Sequence, residues 1–350
     1  MSSDASTRLL CAWTQDDVLA RRSGYHVIAN YLPAETMVEP RRDPPAGLAR
    51  WRTRFMRRLA CSRWCVGGSF DLDRRLRVQS RNGFQGIIHY LWCDRDLAFM
   101  DWWAKRTDVR LVGTFHHPAD QLEQIIRRPQ SLRRLDAIIL MSETQRAWFL
   151  DQGVRNERLH WVPHGVDVAY FSPRATTLVG QGRKEVLSVG ATGRNFELLR
   201  EVAAHFVDRA AVHFVIVGPL HKRRAFEGMD NVTFHSGIAD EELLNYYQRA
   251  DCLLHLTTQA TANNVLLEAL ACGTPVIAQR VGGVPEYLTA ECSMLTEAGD
   301  FAALVTALEH CLSDETKRHQ MSSASRLHAE SLSWDRVAIQ TRAVYESLQS

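Results

Sequence analysis

The 350 residues are 45% hydrophobic and 23% charged, enough apolar material for two cores of ordinary size and too much for bulk disorder. Net charge is +2, but residues 1–172 hold 26 Lys+Arg against 19 Asp+Glu and the remainder 16 against 21, so the two halves are expected to face different partners. No apolar run approaches the roughly 20 residues that span a bilayer, the polar opening "MSSDASTRLL" does not read as a signal peptide, and eight scattered cysteines without a paired zinc spacing fit buried free thiols in a reducing, cytoplasmic setting.

Short apolar or β-branched runs recur along the chain. In the first half they are "RLLCAW" (8–13), "GIIHYLW" (86–92), "VRLVGTF" (109–115), "AIILMS" (137–142) and "LHWVPH" (159–164). In the second they are "VLSVGA" (186–191), "HFVIVG" (213–218), "VTFHSG" (232–237), "CLLHL" (252–256), "PVIAQ" (275–279) and "SML" (293–295). Amphipathic helical stretches such as "EELLNYYQRA" and "DFAALVTALEHCL" lie between them. Short buried strands alternating with helices predict parallel sheets covered on both faces. The fold class is therefore α/β, with two doubly wound, Rossmann-like domains at 1–172 and 186–332. The Pro-, Gly- and charge-bearing stretch 173–185 reads as the linker, and a last amphipathic helix (333–350) is expected to pack back on the first domain. Ligands of such sheets bind at the carboxyl ends of the strands, here in a central cleft between the domains.

Several residues carry candidate chemistry. Glu268, in "LLEALAC", is read at the first turn of a helix, where a carboxylate either complements the helix dipole or grips vicinal hydroxyls. The preceding loop "QATANN" places Ala262, Asn263, Asn264 and Val265 at a helix N-terminus, whose N–H groups can bind a diphosphate without a cation. Asn263 or Asn264 can instead cap that helix. Arg194 in "GATGRNFELL" and Lys222 in "GPLHKRR" each follow a strand and can meet phosphate oxygens, with surface charge as the ordinary alternative. "GTFHHP" ends a strand with His116 and His117, of which only one can face a ligand. In "RRSGYH" (21–26), Gly24 permits close backbone approach and Ser23 can cap a following helix. "DRD" (94–96) is an Asp-x-Asp pattern read as capping rather than as a metal site.

The stretch "GLARWRTRFMRRLACSRW" (47–64) sets Leu48, Trp51, Phe55 and Leu59 at helical spacing among Arg50, Arg52, Arg54, Arg57, Arg58 and Arg63. It fits a core-facing stripe under a solvated face, or a helix lying on an anionic membrane surface.

"LHWVPHGVDVAYFSP", then "VLSVG", "HFVIVG", "VTFHSGI", "LLEALACGTPVIAQRVGGVPEYL" and the final "SWDRV" resemble, in order and over nearly the whole chain, retaining glycosyltransferase family 4 of the GT-B fold. The resemblance is thinnest around residues 40–80. It implies transfer of a sugar from a nucleotide-diphosphate sugar, such as a UDP- or GDP-sugar, to a glycan, lipid-linked or small-molecule acceptor. It also implies no metal and no cofactor, a donor held by the C-terminal domain, and an acceptor held by the N-terminal one. Nucleic acid is not among the expected partners. Carried over by position, Glu268 would hold the donor ribose, His116 would lie near the transferred sugar, and Arg194 would meet the diphosphate. Ser23, Gly24 and Lys222 would serve the phosphates, and the "HSGI" turn with His235 would lie by the base. One departure stands out: the family's first acid, eight residues before Glu268, is here Ala260, beside Gln259. The partner Lys expected after Arg194 is also missing, Leu199 and Arg200 standing there. The alternatives are an idle nucleotide-sugar-binding protein and a nucleotide-sugar epimerase.

Overall fold

The computed structural model describes residues 8–15, 22–41, 47–103, 109–174 and 182–349. The chain divides into two compact units, Met1–Pro163 with Trp334–Ser350, and His164–Ser333.

The first unit is built on β1 (Leu9–Gln15), β2 (Glu35–Pro40), β3 (Gly86–Tyr90), β4 (Val109–Phe115), β5 (Ala137–Leu140) and β6 (Leu159–Trp161). They form one parallel sheet in the order β2-β1-β3-β4-β5-β6. Its helices are α1 (Leu48–Leu59), α2 (Gly67–Arg81), α3 (Cys93–Asp96), α4 (Met100–Trp103), α5 (Ala119–Ile125) and α6 (Arg146–Asp151). Central strands such as the wholly buried Ala-Ile-Ile-Leu of β5 declare themselves as continuous apolar runs. Strand β2, absent from the sequence reading, is the edge: only Met37 is buried, and Glu35, Glu39 and a terminal Pro40 disguise it as loop.

Helix α1 forms where its spacing predicts, yet its stripe does not enter the core. Leu48, Trp51 and Phe55 are 85%, 65% and 49% exposed, and the Trp51 and Phe55 rings stack at 6.0 Å. Among its described apolar side chains only Met56 and Leu59 pack inward, against a small cluster of Ala60, Cys65, Ala98 and Phe99. The core-facing reading of Leu48, Trp51 and Phe55 is thus corrected.

The second unit has β7 (Lys184–Val189), β8 (Val212–Val217), β9 (Val232–His235), β10 (Cys252–His255), β11 (Val276–Gln279) and β12 (Ser293–Thr296), all parallel, in the order β12-β11-β10-β7-β8-β9. Helices α7 (Phe196–His205), α8 (Asp240–Arg249), α9 (Asn264–Ala271), α10 (Phe301–Ser313) and α11 (Glu315–Ser331) complete it. Asn195, Asp300 and Asp314 cap α7, α10 and α11 through their side-chain oxygens. The strand order reverses between β7 and β10 here, and between β1 and β3 in the first unit. A crevice opens outside the carboxyl ends of the strands at such a point, where α/β sheets take their ligands.

The chain then returns to the first unit with α12 (Trp334–Glu346). Its buried Trp334, Val337, Ala338, Thr341, Val344 and Tyr345 recur at helical spacing. Trp334 meets the Tyr25 ring edge-on at 5.9 Å, and the Tyr345 hydroxyl lies 2.6 Å from Nδ1 of His89, whose Nε2 is 2.7 Å from Thr114 Oγ1. Burial pushes the His89 imidazole down to about 3, so it is neutral in this bond.

The boundary between units falls at Pro163/His164, ahead of the expected 172. The reason is packing. The Val166 amide donates to the Leu332 carbonyl at 3.0 Å, and Phe171 is buried against Tyr247. At the other end of the expected linker, Lys184 and Glu185 already belong to β7. Its residues 175–181 lie outside the described residues. All eight cysteines are buried free thiols.

Candidate functional site

In the second unit the loops after β7 and β10 are stitched together at the point of strand reversal. Gly193 O accepts from Thr257 Oγ1 and from the Thr258 amide, both at 2.9 Å, and Arg194 pairs with Thr257 as an isolated bridge. Gly190 is needed here: a Cβ would stand 2.7 Å from Arg194 Nε, so the guanidinium lies where only a bare Cα allows it. Arg194 Nε donates to Val189 O at 2.7 Å, and Nη2 to Asn263 Oδ1 at 3.2 Å. Nη1 is buried with no hydrogen-bond partner among the described residues. An unmet charged donor costs on the order of 1–3 kcal/mol, which an incoming anion oxygen would recover. Burial lowers the Arg194 pKa to about 10, leaving it a cation at neutral pH.

The fold brings Arg194 to the N-terminus of α9. Asn263 is the N-cap, and its Oδ1 accepts from the Val265 amide at 3.1 Å as well as from Arg194. Of the N–H groups expected to meet a ligand, Val265 is therefore occupied by the cap. Asn264 opens the helix, with Ala262 half-buried on the loop before it. Glu268 requires a correction: because the helix starts at Asn264, it lies in the second turn rather than the first. It is 5% exposed and accepts from the Tyr247 hydroxyl at 2.8 Å, so it is no surface acid answering the dipole. Ala260 is buried in the same core cluster, its carbonyl taken by the Gly283 amide at 2.8 Å, while Gln259 is exposed. His255, ending β10, is buried with neither ring nitrogen bonded among the described residues, and burial with the nearby Arg194 charge pushes its pKa well below the usual histidine value. Sequence reading missed Tyr247 and His255: Tyr247 lies on the buried stripe of amphipathic α8 and His255 in an apolar run, and nothing in the spacing marks them.

The remaining candidates stand apart. Lys222 is exposed, with Nζ 5.8 Å from the centre of the Phe196 ring. His235 ends β9 and bonds Tyr246 Oη through Nε2 at 2.8 Å.

In the first unit, Ser23 precedes the position it was expected to cap. Gly24 is the N-cap of a 3-10 turn (Tyr25–Tyr31) and carries no positive φ; its role is contact, since a Cβ would meet the His26 ring at 2.4 Å. Tyr25 meets the His116 ring edge-on at 5.0 Å. His116 stacks on Trp92 at 4.0 Å and directs Nε2 to the Leu91 carbonyl at 2.7 Å. Burial, opposed by Asp94, lowers the His116 pKa to about 4, so Nε2–H is the donor of a neutral ring. Most of the "DRD" carboxylate oxygens are bonded within the unit, Asp94 Oδ1 being buried with no partner among the described residues. Asp96 accepts from the Thr14 amide, Thr14 Oγ1 and Ser69 Oγ. Asp94 Oδ2 accepts from the His116 and His117 amides and from His117 Nδ1.

Profiles of known families match both units: Glycosyltransferase Family 4 over residues 24–170, and Glycosyl transferases group 1 over residues 183–314. A D-inositol 3-phosphate glycosyltransferase of Arthrobacter sp. (strain FB24) is 30% identical over 78% of this chain and 73% of its own. The MMP alpha-(1->4)-mannosyltransferase of Mycolicibacterium hassiacum is 28% identical over 74% of this chain, which spans only 64% of that relative. The crystal structure of Anabaena Alr3699/HepE in complex with UDP shares the fold at a TM-score of 0.72, with 14% identity over 97% of this chain and 100% of that one. With both parallel sheets matched by such relatives, the chain belongs to glycosyltransferase family 4, of the group 1 glycosyl transferases, and has the GT-B fold.

Proposed function

We propose that the protein is a retaining glycosyltransferase that moves a sugar from a UDP- or GDP-sugar to a hydroxyl of a sugar, polyol phosphate or lipid-linked acceptor, without a metal. The observation that carries this reading is Arg194: a half-buried cation whose buried Nη1 has no partner among the described residues, at the strand reversal, tied to the N-terminus of α9. In this reading the guanidinium and the helix end take the negative charge that grows on the departing diphosphate. Glu268, held by Tyr247, bonds the donor ribose. The acceptor hydroxyl attacks the face the phosphate leaves, and the phosphate takes its proton. Support for the donor class comes from the UDP bound to Alr3699/HepE, and for a phosphorylated polyol from the inositol phosphate named for the Arthrobacter relative. Ala260, a buried methyl where the family has an acid, leaves Gln259 as the polar contact to the transferred sugar.

A thermal-shift panel of UDP, GDP and ADP tests the donor site. A ligand present at 100 times its Kd raises apparent stability by about 2.7 kcal/mol. One nucleotide is expected to do so for wild type, and Arg194→Gln and Glu268→Gln each to weaken the response at least tenfold in Kd. A chain that answers to none of the three refutes the donor site.

A second reading concerns where the enzyme works. No described helix is long and apolar enough to cross a membrane. Helix α1, however, exposes Leu48, Trp51 and Phe55 and carries Arg50, Arg52, Arg54, Arg57 and Arg58 with no acid among its residues. We propose peripheral docking of this helix on the anionic, cytoplasmic face of a membrane. Sedimentation with vesicles containing phosphatidylserine should be strong at low salt and lost in L48S/W51S/F55S. Equal binding to neutral vesicles, or by the triple variant, would reject it.

A further inference from the structure

We propose that a cavity at the amino ends of the central strands of the second unit binds a small phosphorylated metabolite, and that its occupancy is felt at Glu268 through Tyr247. The binding stands apart from the transferase reading, whereas the link to Glu268 rests on that reading of the donor site.

The cavity has a volume of about 410 Å³, within the roughly 300–1,000 Å³ of small-molecule sites. All of its walls belong to the second unit. Strands β11, β10 and β7 are consecutive in the sheet, and the cavity lies where they begin: Lys184 and Glu185 open β7, Asp251 precedes β10, and Thr274 and Pro275 precede β11. Arg194 and the N-terminus of α9 follow the opposite, carboxyl ends of β7 and β10. Those strands have six and four residues, and at about 3.3 Å per residue the sheet holds the two places roughly 13–20 Å apart.

The lining is charged, as that of a packing fault is not. Dry cavities left by imperfect packing are apolar. Here Arg174, Arg183, Lys184, Arg249 and Arg318 outnumber Glu185, Asp251 and Glu315, and the acids are already engaged. Asp251 Oδ1 lies 3.2 Å from Lys184 Nζ and 3.3 Å from Arg318 Nε, and its Oδ2 accepts from the Glu185 amide at 2.9 Å. Glu185 Oε2 lies 2.8 Å from Arg249 Nε, and Glu315 meets His319 at 3.6 Å. Arg174 and Arg183 make no hydrogen bond or ion pair among the described residues. Arg318 is 8% exposed. Its Nη1 donates to the carbonyls of Cys311 at 3.0 Å and Leu312 at 2.7 Å, which fixes the guanidinium, while Nη2 has no hydrogen bond among the described residues. A fixed guanidinium with a spare N–H, joined by two unpaired cations, suits a phosphate monoester, which is close to dianionic at neutral pH and takes bidentate bonds from arginine. Pro173, Pro275 and Ala250 offer an apolar side to its carbon skeleton, and Ser322 a hydroxyl.

The walls are tied to one another. Gly273 follows α9 with φ +74°, and a Cβ there would come within 3.1 Å of Ser322 Oγ and 3.5 Å of Pro173 Cγ, so α9, α11 and the segment at Pro173 meet closely. Arg326 joins the same three pieces, its Nη1 donating to Val168 O and Phe171 O at 3.0 Å and to Ala271 O at 2.9 Å. Tyr247 borders the cavity, its carbonyl accepts from Thr274 Oγ1 at 2.7 Å, and its hydroxyl donates to Glu268 Oε2 at 2.8 Å. Cys272, also on the wall, donates its amide to the Glu268 carbonyl at 3.0 Å. A ligand packed against these residues acts on the pair that holds the donor ribose, and linkage makes the effect mutual.

Calorimetry on the full chain, in buffer free of phosphate and sulfate, uses inorganic phosphate as the minimal probe and glucose 6-phosphate as one with a carbon skeleton. Both are expected to bind wild type and Arg194→Gln alike, glucose 6-phosphate at least tenfold more tightly. The exposed pair Arg174→Ala with Arg183→Ala should weaken binding at least tenfold, as should Arg318→Gln with its folding checked by circular dichroism. No binding of either probe overturns the proposal. So does binding lost in Arg194→Gln and kept in the double variant, which puts the phosphate in the donor site, and so does binding equal in all variants. Inorganic phosphate binding as tightly as glucose 6-phosphate marks a bare anion site and overturns the metabolite. The link to Glu268 is read separately: saturating glucose 6-phosphate should change the Kd of UDP or GDP at least threefold in wild type and leave it unchanged in Tyr247→Phe. Binding of the sugar phosphate with no change in nucleotide Kd overturns the link alone. A wild type that binds glucose 6-phosphate through Arg174 and Arg183 yet binds no nucleotide removes the donor reading and leaves the cavity site standing.

Discussion

Tyr247 and Glu268 offer a pair whose energetics can be worked out before any substrate is known. Both are buried, and the phenol donates to Oε2 at 2.8 Å. Burial, followed by the adjoining carboxylate, raises the Tyr247 pKa well above the usual phenol value, so the hydroxyl keeps its proton to donate. Tyr247→Phe removes that proton while leaving the acid in place, a loss of about 1.5–3 kcal/mol for a bond to a charged group. Glu268→Leu leaves the phenol unmet, at about 1–3 kcal/mol. Removing both polar ends together costs less than the sum, giving a coupling energy of about 2 kcal/mol in a double-mutant cycle. The assay exploits an accident of composition. All nine tryptophans lie within residues 1–163 and 334–350, so indole fluorescence reports the first unit, while far-UV circular dichroism sees both. In urea, the three variants should shift the dichroism transition and leave the fluorescence transition where it is. Coupling below about 0.5 kcal/mol, the usual additivity limit for independent sites, would show that the bond contributes nothing specific and refute the reasoning.

Two other perturbations follow from the same reading. His89 has a folded pKa of about 3 against 6.5 in the unfolded chain, so the unfolded state binds a proton first as pH falls. The first unit should therefore lose stability from pH 6.5 downward, by about 1.4 kcal/mol per pH unit from this group, until pH 3. Tryptophan-monitored urea unfolding between pH 6.5 and 5 checks this, and an unchanged slope in His89→Gln contradicts it. Gly282 has φ +52°, and a Cβ there would meet the Ala260 carbonyl oxygen at 2.3 Å. Gly282→Ala is expected to cost about 2–4 kcal/mol from the left-handed backbone and the overpacking together, and to weaken any nucleotide response by displacing the loop before α9. A variant with wild-type melting and binding would contradict that.

How far the sequence can be read depends on the range of the interaction. Buried strands such as β5 and β10 announce themselves because their neighbours in sequence share their burial. β2 does not, since an edge strand needs few apolar residues. Arg194 and the "TANN" loop are visible because each stands just after a strand, where the fold class already places ligands. The start of α9 is legible only to within a residue, since both Asn263 and Asn264 suit a cap and only the geometry picks Asn263. Long-range pairs were invisible. Asp94 and His117 are 23 residues apart, and nothing in "DRD" or in "HHP" names the other. The same holds for the exposed stripe of α1, where spacing establishes a helix but cannot say which face is dry.

The return of the chain with α12 makes the first unit depend on both ends of the sequence. The Val166 amide bonds the Leu332 carbonyl, so the second unit begins and ends at one place and is complete once residue 333 has been made. The first unit, though it starts the chain, still lacks the helix that covers Tyr25 and engages His89. The first unit is therefore the discontinuous one: about 170 residues of sequence separate its sheet from its last wall. Until α12 docks, its apolar flank is open to chaperones and to other nascent chains. A nonsense codon or protease cut just before residue 334 would thus leave a complete second unit attached to an unfinished first unit.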